Sequence, residues 1–212
     1  VKAAGVQKVQ ANLTMSGKNS QDQRKLYDSM GLVWDSIHAG GDALRKTPQA
    51  TIDEAKAAGI KNITCSFPLY PEDRAVIMKG PTVDDWKKNA DAFNKFAELA
   101  KKSGISFSYH NHNLEFRKVG DVIPYDLLLK ETDPALVSME MDIGWVIAGG
   151  ADPVAYLTKF PKRYKSVHLK DLKNEGIPNT NMKMISAIIG KGIVDWGKVL
   201  PAVKKSAVTS AY

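Results

Sequence analysis

The sequence has little of several features that mark large protein classes. Its 212 residues include one cysteine, Cys65, so no internal disulfide can form. A lone cysteine inside the apolar run 63–67 is typical of a buried core thiol. No apolar run approaches the roughly 18 residues of a transmembrane helix, so we expect no contact with a membrane. No glycine-rich dinucleotide or Walker loop follows a predicted strand, which excludes the common nucleotide-binding folds.

Positive charge exceeds negative charge without forming a basic patch. The net charge is +7, from 30 basic and 23 acidic residues. The lysines are spread over predicted helices, with acidic residues between them, and no arginine cluster or basic stripe with interleaved aromatic residues is present. This pattern indicates solvated helix faces, and we expect no nucleic-acid partner.

Short β-rich segments alternate with amphipathic segments, which predicts a parallel α/β architecture. The predicted strands are 7–13, 32–38, 60–67, 105–112, 137–142 and 164–170, with a seventh beginning at 207. The predicted helices are 20–30, 48–58, 82–103, 124–132, 152–159 and 194–206. The 82–103 helix has an apolar face, a Thr82–Asp85 capping box and a terminating Gly104. No domain-separating linker interrupts the chain, so we expect one domain over residues 1–212.

Titratable side chains gather at the downstream ends of these strands. All four histidines lie there, and two carboxylates of the 137–142 strand share the placement: His38, His110, His112, His168, Glu140 and Asp142. Groups collected at the C-terminal ends of several strands are typical of the active site of a (β/α) barrel. Residues two apart share a strand face, so Lys170 joins His168, and polar faces on successive strands predict a solvent-reachable pocket.

The chemistry of these side chains favours a divalent cation. Carboxylates mixed with imidazoles suit Mn²⁺, Mg²⁺, Co²⁺ or Zn²⁺, and the lack of cysteine partners argues against a structural zinc site. A bound cation lowers the cost of removing a proton next to a carbonyl. Two interpretations stay open for each of two further residues. Lys170 forms a rim ion pair with Asp171 or contacts substrate, and Trp145 is a core residue or a sugar-stacking platform.

At these residues the sequence resembles the sugar phosphate isomerase/epimerase family of xylose isomerase-like TIM barrels. The matching stretches are 109–116, 131–134, 139–145, 149–153, 167–171 and 190–196, and the resemblance runs over essentially the whole chain. The resemblance implies a divalent cation, often Mn²⁺, held by a glutamate, an aspartate, a histidine and a second glutamate. Carried over, Asp142 and His168 are ligands. The first glutamate corresponds to Glu115, with His110 or Glu140 as alternatives.

The ends of the sequence predict an incomplete barrel. Residues 1–5 have the pattern of a final helical turn with a glycine cap, and residues 207–212 that of a strand beginning. We therefore expect a TIM-type barrel truncated at both ends, with about six of eight strands complete. The second glutamate would come from the eighth strand. These 212 residues alone are then expected to hold an incomplete metal shell and to be inactive.

The predicted function is that of a metal-dependent isomerase or epimerase acting on a carbohydrate: a sugar, a sugar phosphate or a keto-polyol. His112, His110 and Lys170 are the acid–base candidates, and His38, Glu140 and Trp145 the substrate contacts. A lyase with inosose-dehydratase-like elimination is the alternative. A non-catalytic sugar-binding barrel is a weaker alternative. An apurinic endonuclease is also weaker, because its multi-zinc site would need more histidines and acidic residues than this sequence offers. The sequence leaves open the oligomeric state and the choice between cytoplasm and periplasm.

Overall fold

Seven parallel strands form the central sheet of the computed structural model, which describes residues 5–13 and 19–212. The helical turn predicted for residues 1–4 lies outside this part of the chain. The strands, in sheet order, are β1 Lys8–Ala11, β2 Val33–Ala39, β3 Asn62–Cys65, β4 Ser106–His110, β5 Val137–Asp142, β6 Tyr164–His168 and β9 Ser210–Ala211. A separate antiparallel hairpin pairs β7, Asp171–Leu172, with β8, Ser186–Ala187.

Helices follow the strands and cover the outside of the sheet. Six correspond to predicted helices: α1 Ser20–Ser29, α3 Pro48–Ala57, α5 Val83–Lys102, α6 Pro124–Glu131, α8 Pro153–Lys159 and α9 Trp196–Lys205. Three short ones were not predicted: α2 Gly41–Lys46, α4 Arg74–Lys79 and α7 Ile143–Ala148. Among the described residues, no helix combines the length and apolarity needed to cross a bilayer.

The longest helix, α5, begins and ends where the sequence predicts. Thr82 and Asp85 form the capping box, and Gly104 follows the helix in the left-handed conformation at φ 75°. Its aromatic face packs on the outer face of β4, with ring centroids 4.8 Å apart for Phe93 and Tyr109. A threonine cap contributes about 1 kcal/mol, so the buried aromatic face supplies most of the stabilisation of α5.

The interior of the barrel is polar. Ser108 on β4 donates to Asn62 on β3 at 3.0 Å and lies 2.8 Å from the hydroxyl of Ser138 on β5. The predicted alternation of an apolar outer face and a polar inner face is therefore confirmed for β4. Cys65 is buried, as predicted, and burial raises the pKa of its thiol to about 12.

Side chains bridge the two edges of the sheet. Lys8 on β1 contacts the Ser210 hydroxyl of β9 at 3.0 Å, and the Tyr212 hydroxyl lies 3.3 Å from Asp35. The parallel strands thus curve into a nearly closed ring with helices outside it, which is the TIM-type barrel that the sequence predicts. Parallel strands place their C-terminal ends at one rim, so β2, β4, β5 and β6 bring side chains near their C-terminal ends towards a shared space.

Candidate active site

Glu140, on β5, lies at the centre of a buried hydrogen-bond cluster. Its Oε2 accepts from Gln10 Nε2 at 2.8 Å and from Ser166 Oγ at 2.7 Å. Its Oε1 lies 3.0 Å from His38 Nε2 and 3.2 Å from His110 Nδ1. Burial opposes ionisation of this carboxyl, but the hydrogen bonds from the surrounding imidazoles outweigh burial and hold the pKa of Glu140 well below its usual range.

Asp142, the last residue of β5, forms a second layer closer to the rim. Its Oδ2 lies 3.8 Å from His110 Nε2, 3.9 Å from His168 Nδ1 and 2.5 Å from Lys170 Nζ. Its Oδ1 accepts from the Trp145 backbone N–H at 3.0 Å, which caps α7. The two imidazoles therefore stand between the Glu140 layer and the Asp142 layer, with one ring nitrogen facing each carboxylate.

These two layers offer a donor set that fits a divalent cation. One ligand atom from each of His38, His110, Glu140 and His168 lies within 4.8 Å of the others. The Asp142 layer adds a carboxylate oxygen beside two imidazole nitrogens. Imidazole nitrogens combined with carboxylate oxygens are ligands for Zn²⁺, Mn²⁺ and related divalent ions. The predicted side chains at the ends of β2, β4, β5 and β6 thus converge on one place.

The rim above Asp142 carries three further predicted residues. His112 follows the end of β4, with its ring centroid 5.0 Å from that of His110 and 5.5 Å from that of Trp145. Lys170, just beyond β6, places Nζ 5.4 Å from the Trp145 ring centroid. Both residues were predicted inside strands and lie in the loops that follow them. Trp145, on α7, is half-buried, and its ring lies close to both His112 and Lys170.

The surroundings of His112 favour the neutral form of its imidazole. Burial lowers its pKa to about 2, with the neighbouring His110 and Lys170 adding to the effect. Its Nδ1 is buried and has no hydrogen-bond partner among the described residues. A buried ring nitrogen without a partner is a group that a substrate hydroxyl can satisfy.

Glu115 lies apart from the cation layers. It sits in a 3₁₀ turn, Leu114–Phe116, where Oε1 accepts from the Tyr109 hydroxyl at 2.6 Å and Oε2 from the His112 backbone N–H at 2.9 Å. Burial raises its pKa to about 7. Both oxygens thus hold the loop that carries His112. The metal-ligand role carried over to Glu115 remains a prediction that this geometry does not favour.

Asp171 does not pair with Lys170, so the interpretation as a rim ion pair between these two residues is wrong. Lys170 pairs with Asp142 instead. The Asp171 carboxylate is buried and accepts from the backbone N–H groups and the indole N–H of the following segment: Leu172, Gly190, Gly192, Val194 and Trp196. It therefore fixes the glycine-containing stretch 190–196 beside the barrel.

Gln10 and Ser166, two members of the Glu140 cluster, were not predicted as site residues. Both donate to Glu140, and Gln10 also accepts from His168. Ser166 lies two positions before His168 and therefore shares its strand face, so the alternation along that strand was the available signal. Gln10 offered no such signal, because a neutral amide in a strand has no chemistry that distinguishes it from other polar residues.

Comparison with known proteins agrees with the barrel fold. A family model described as xylose isomerase-like TIM barrel matches residues 27–211. An inosose dehydratase of Clostridium beijerinckii is 34% identical over 107 residues, which cover 50% of this chain and 35% of that protein. The chain thus spans about a third of the length of the curated relatives it matches.

Two solved structures extend the likeness over the whole barrel. A sugar phosphate isomerase/epimerase from Parabacteroides distasonis has a TM-score of 0.80 and 25% identity, covering 100% of this chain and 80% of that one. A xylose isomerase-like TIM barrel protein from Mycobacterium smegmatis in complex with magnesium has a TM-score of 0.68 and 14% identity, covering 99% and 78%. The second likeness concerns the fold alone.

Proposed function

We propose, because this chain belongs to the xylose isomerase-like TIM barrel family, that it removes and returns a proton next to a carbonyl group, as an isomerase or epimerase. The substrate is a sugar, a sugar phosphate or a keto-polyol. One observation carries the proposal: a buried imidazole–carboxylate centre lies at the rim beside an ammonium group, a neutral imidazole and an indole ring. The likeness to the Parabacteroides distasonis isomerase/epimerase supports it.

His110, Asp142 and His168 would hold the divalent cation. Mn²⁺ is the cation we propose first, with Mg²⁺, Co²⁺ and Zn²⁺ as alternatives for the same donor set. When bound, a divalent ion polarises adjacent carbonyl and hydroxyl oxygens and makes the neighbouring C–H bond more acidic. Glu115 is not among these ligands, because both of its oxygens accept hydrogen bonds elsewhere.

Lys170 is the proton donor at the substrate oxygen in this proposal. Its ammonium group is held by Asp142 at 2.5 Å and remains partly exposed, with 32% of the side chain accessible. A cation fixed at the rim can stabilise the negative charge that develops on the carbonyl oxygen when the neighbouring carbon loses its proton. Trp145, below Lys170, offers an apolar ring face against which the C–H face of a sugar packs.

His112 is the base in this proposal. It takes the proton from the carbon next to the carbonyl, and it returns that proton to carbon when the product is an epimer or an isomer. Burial favours its neutral form, which has a free lone pair, and its Nδ1 has no hydrogen-bond partner among the described residues.

Dehydration is the second candidate, and the inosose dehydratase relatives favour it. The first step is the same: a C–H bond next to the carbonyl breaks, the proton passes to His112, and the electron pair enters an enolate. In an elimination the electron pair then forms a carbon–carbon double bond, the C–O bond of the neighbouring hydroxyl breaks, and that hydroxyl takes the proton held by His112 and leaves as water. The two reactions differ in whether the proton returns to carbon.

The test is solvent deuterium exchange in the native full-length protein. The protein is loaded with Mn²⁺ in D₂O and incubated with a panel of keto-sugars, sugar phosphates and inososes, and proton NMR follows the signal next to the carbonyl. We expect exchange in one substrate class, with an epimer, an isomer or a dehydrated product showing which reaction follows. Lys170→Met should slow exchange by about 100-fold, whereas Lys173→Met, an exposed lysine nearby, should not. Cation binding without exchange in any class would contradict the proposal.

A further inference from the structure

Gln10 connects the two buried groups that frame the proposed cation site. Its side chain, on β1, places Nε2 2.8 Å from Glu140 Oε2 and 2.8 Å from Ser36 Oγ. Its Oε1 lies 2.7 Å from His168 Nε2. A reversed amide would set its oxygen against the Glu140 carboxylate, so the chemistry of the partners fixes the direction in which this amide points.

The amide oxygen of Gln10 determines which nitrogen of His168 carries a proton. An amide oxygen only accepts hydrogen bonds, so the His168 nitrogen at 2.7 Å, Nε2, is the one that donates. A neutral imidazole has one N–H and one lone pair. The lone pair of His168 is therefore on Nδ1, which lies 3.9 Å from Asp142 Oδ2.

Glu140 determines the tautomer of His110 in the same way. Its Oε1, a carboxylate acceptor, lies 3.2 Å from His110 Nδ1. His110 therefore carries its proton on Nδ1 and its lone pair on Nε2. That nitrogen lies 3.8 Å from Asp142 Oδ2, the same oxygen that the His168 lone pair faces.

The distances from the imidazole nitrogens to the two carboxylates differ in kind between the Glu140 layer and the Asp142 layer. Contacts of the imidazoles with Glu140 measure 3.0–3.3 Å, which is the length of hydrogen bonds. Contacts with Asp142 measure 3.8 and 3.9 Å, too long for hydrogen bonds. Two ligands of one cation, each about 2.0–2.2 Å from it, span up to about 4.2 Å. The imidazoles are thus hydrogen-bonded to Glu140, whereas their distances to Asp142 are those of atoms that bind the same cation.

We infer that Gln10 and Glu140 are positioning residues that hold His168 and His110 in the tautomers whose lone pairs face Asp142. The inference deepens the proposed function, because it assigns the cation to the Asp142 layer and Glu140 to the support beneath it. A cation bound among His38, His110, Glu140 and His168 would require the opposite tautomers of His110 and His168. Carboxylates and amides that orient ligating histidines in this way tune cation affinity by about 10- to 100-fold.

The test reads the tautomers directly. Metal-free protein labelled with ¹⁵N-histidine is studied by long-range proton–nitrogen NMR at about pH 8, above the ordinary pKa of histidine. We expect His110 protonated at Nδ1 and His168 protonated at Nε2. The opposite tautomer at either residue overturns the inference, and this measurement needs no variant to fold.

A matched pair of variants tests the role of Gln10. Gln10→Leu should give His168 a mixture of tautomers and weaken Zn²⁺ binding, measured by chelator competition, by about 10- to 100-fold. Gln23→Leu changes a buried glutamine on α1 that contacts Asn12 instead of the cluster, and it should alter neither property. Equal behaviour of the two variants overturns the inference. If the wild type shows the expected tautomers and binds no cation, the inference stands and the proposed function fails.

Discussion

His110 and His112 lie two positions apart and have different surroundings. His110 faces both carboxylate layers, with Nδ1 3.2 Å from Glu140 and Nε2 3.8 Å from Asp142. His112 lies at the rim beside Trp145 and has no contact of this kind. One histidine is thus placed to hold a cation and the other to contact substrate.

We predict that His110→Gln and His112→Gln separate these roles. The loss of a ligand should weaken Zn²⁺ binding of His110→Gln by more than the roughly 10- to 100-fold that the loss of a supporting residue costs. His112→Gln should keep Zn²⁺ affinity and lower turnover of the accepted substrate by about 10²-fold. Chelator competition and steady-state rates on both variants check this. Parallel losses of affinity in the two variants would contradict it.

Glu115 predicts a measurable pH dependence of stability. Burial raises its pKa from 4.5 to about 7 in the folded protein. Below about pH 4.5 the carboxyl is protonated in both the folded and the unfolded protein, so its burial costs no stability there. As pH rises from about 4.5 through about 7, the unfolded protein releases this proton more readily, and the folded protein loses stability. Glu115→Gln removes this titration. The free energy of unfolding of the variant, relative to wild type, should rise by up to about 3 kcal/mol between about pH 5 and pH 8.

Urea unfolding at the two pH values measures this difference. Glu98→Gln serves as the control, because Glu98 lies on α5 with 63% of its side chain exposed and should show no such change. A constant offset between wild type and Glu115→Gln at both pH values would show that Glu115 does not titrate in this range.

Strand patterns predicted which residues meet, but not what each one does. Alternation puts Glu140 and Asp142 on one face, and the structure places both in the cluster. Because the two carboxylates lie at different depths, Glu140 is within hydrogen-bonding distance of the imidazoles, whereas Asp142 lies 3.8 and 3.9 Å from the other nitrogens of His110 and His168. Depth depends on the stagger of neighbouring strands, including the register shift between Met139 and Glu140. No local pattern encodes that stagger.

The segment after β6 is organised by a single carboxylate. Asp171 accepts hydrogen bonds from residues 190–196, and a Cβ at Gly192 would lie 2.1 Å from Asp171 Oδ1. The backbone therefore approaches the carboxylate closely only because residue 192 is glycine. This contact holds the segment against the barrel wall.

We predict that Asp171→Asn lowers the free energy of unfolding by about 2 kcal/mol, because an amide group faces N–H donors where a charged acceptor was. Gly192→Ala should destabilise at least as much, through the clash. Asp121→Asn, an exposed aspartate, should stay within about 0.5 kcal/mol of wild type. Urea midpoints of the three variants provide the comparison. If Asp171→Asn changed the urea midpoint as little as Asp121→Asn, the Asp171 carboxylate would not be what holds this segment.

Element length decided which elements could be predicted. The 20 residues of α5 repeat an apolar face often enough to show helical periodicity. The unpredicted helices α2, α4 and α7 have six residues each, fewer than two turns. The two-residue strands of the β7–β8 hairpin show no alternation at all. Such short elements form because tertiary contacts hold them, and the sequence nearby carries little signal.

At the scale of the whole molecule, the barrel was predictable because polar inner faces recur at the ends of successive strands. The sequence did not predict that the two edges of the sheet approach each other. This approach depends on contacts such as Lys8 with Ser210, which are 202 residues apart. The same closure brings Gln10 on β1 to His168 on β6. The support beneath the proposed cation site therefore exists only in the assembled ring.

The central claim is that this ring presents a cation site at Asp142. The most direct measurement is a crystal structure of the Zn²⁺-loaded protein with anomalous scattering recorded at the zinc absorption edge. We predict one strong peak between His110 Nε2, His168 Nδ1 and Asp142 Oδ2, with Glu140 still bonded to Gln10 beneath it. A peak bounded by His38, Glu140 and the opposite ring nitrogens, or no peak within the barrel, would contradict the account.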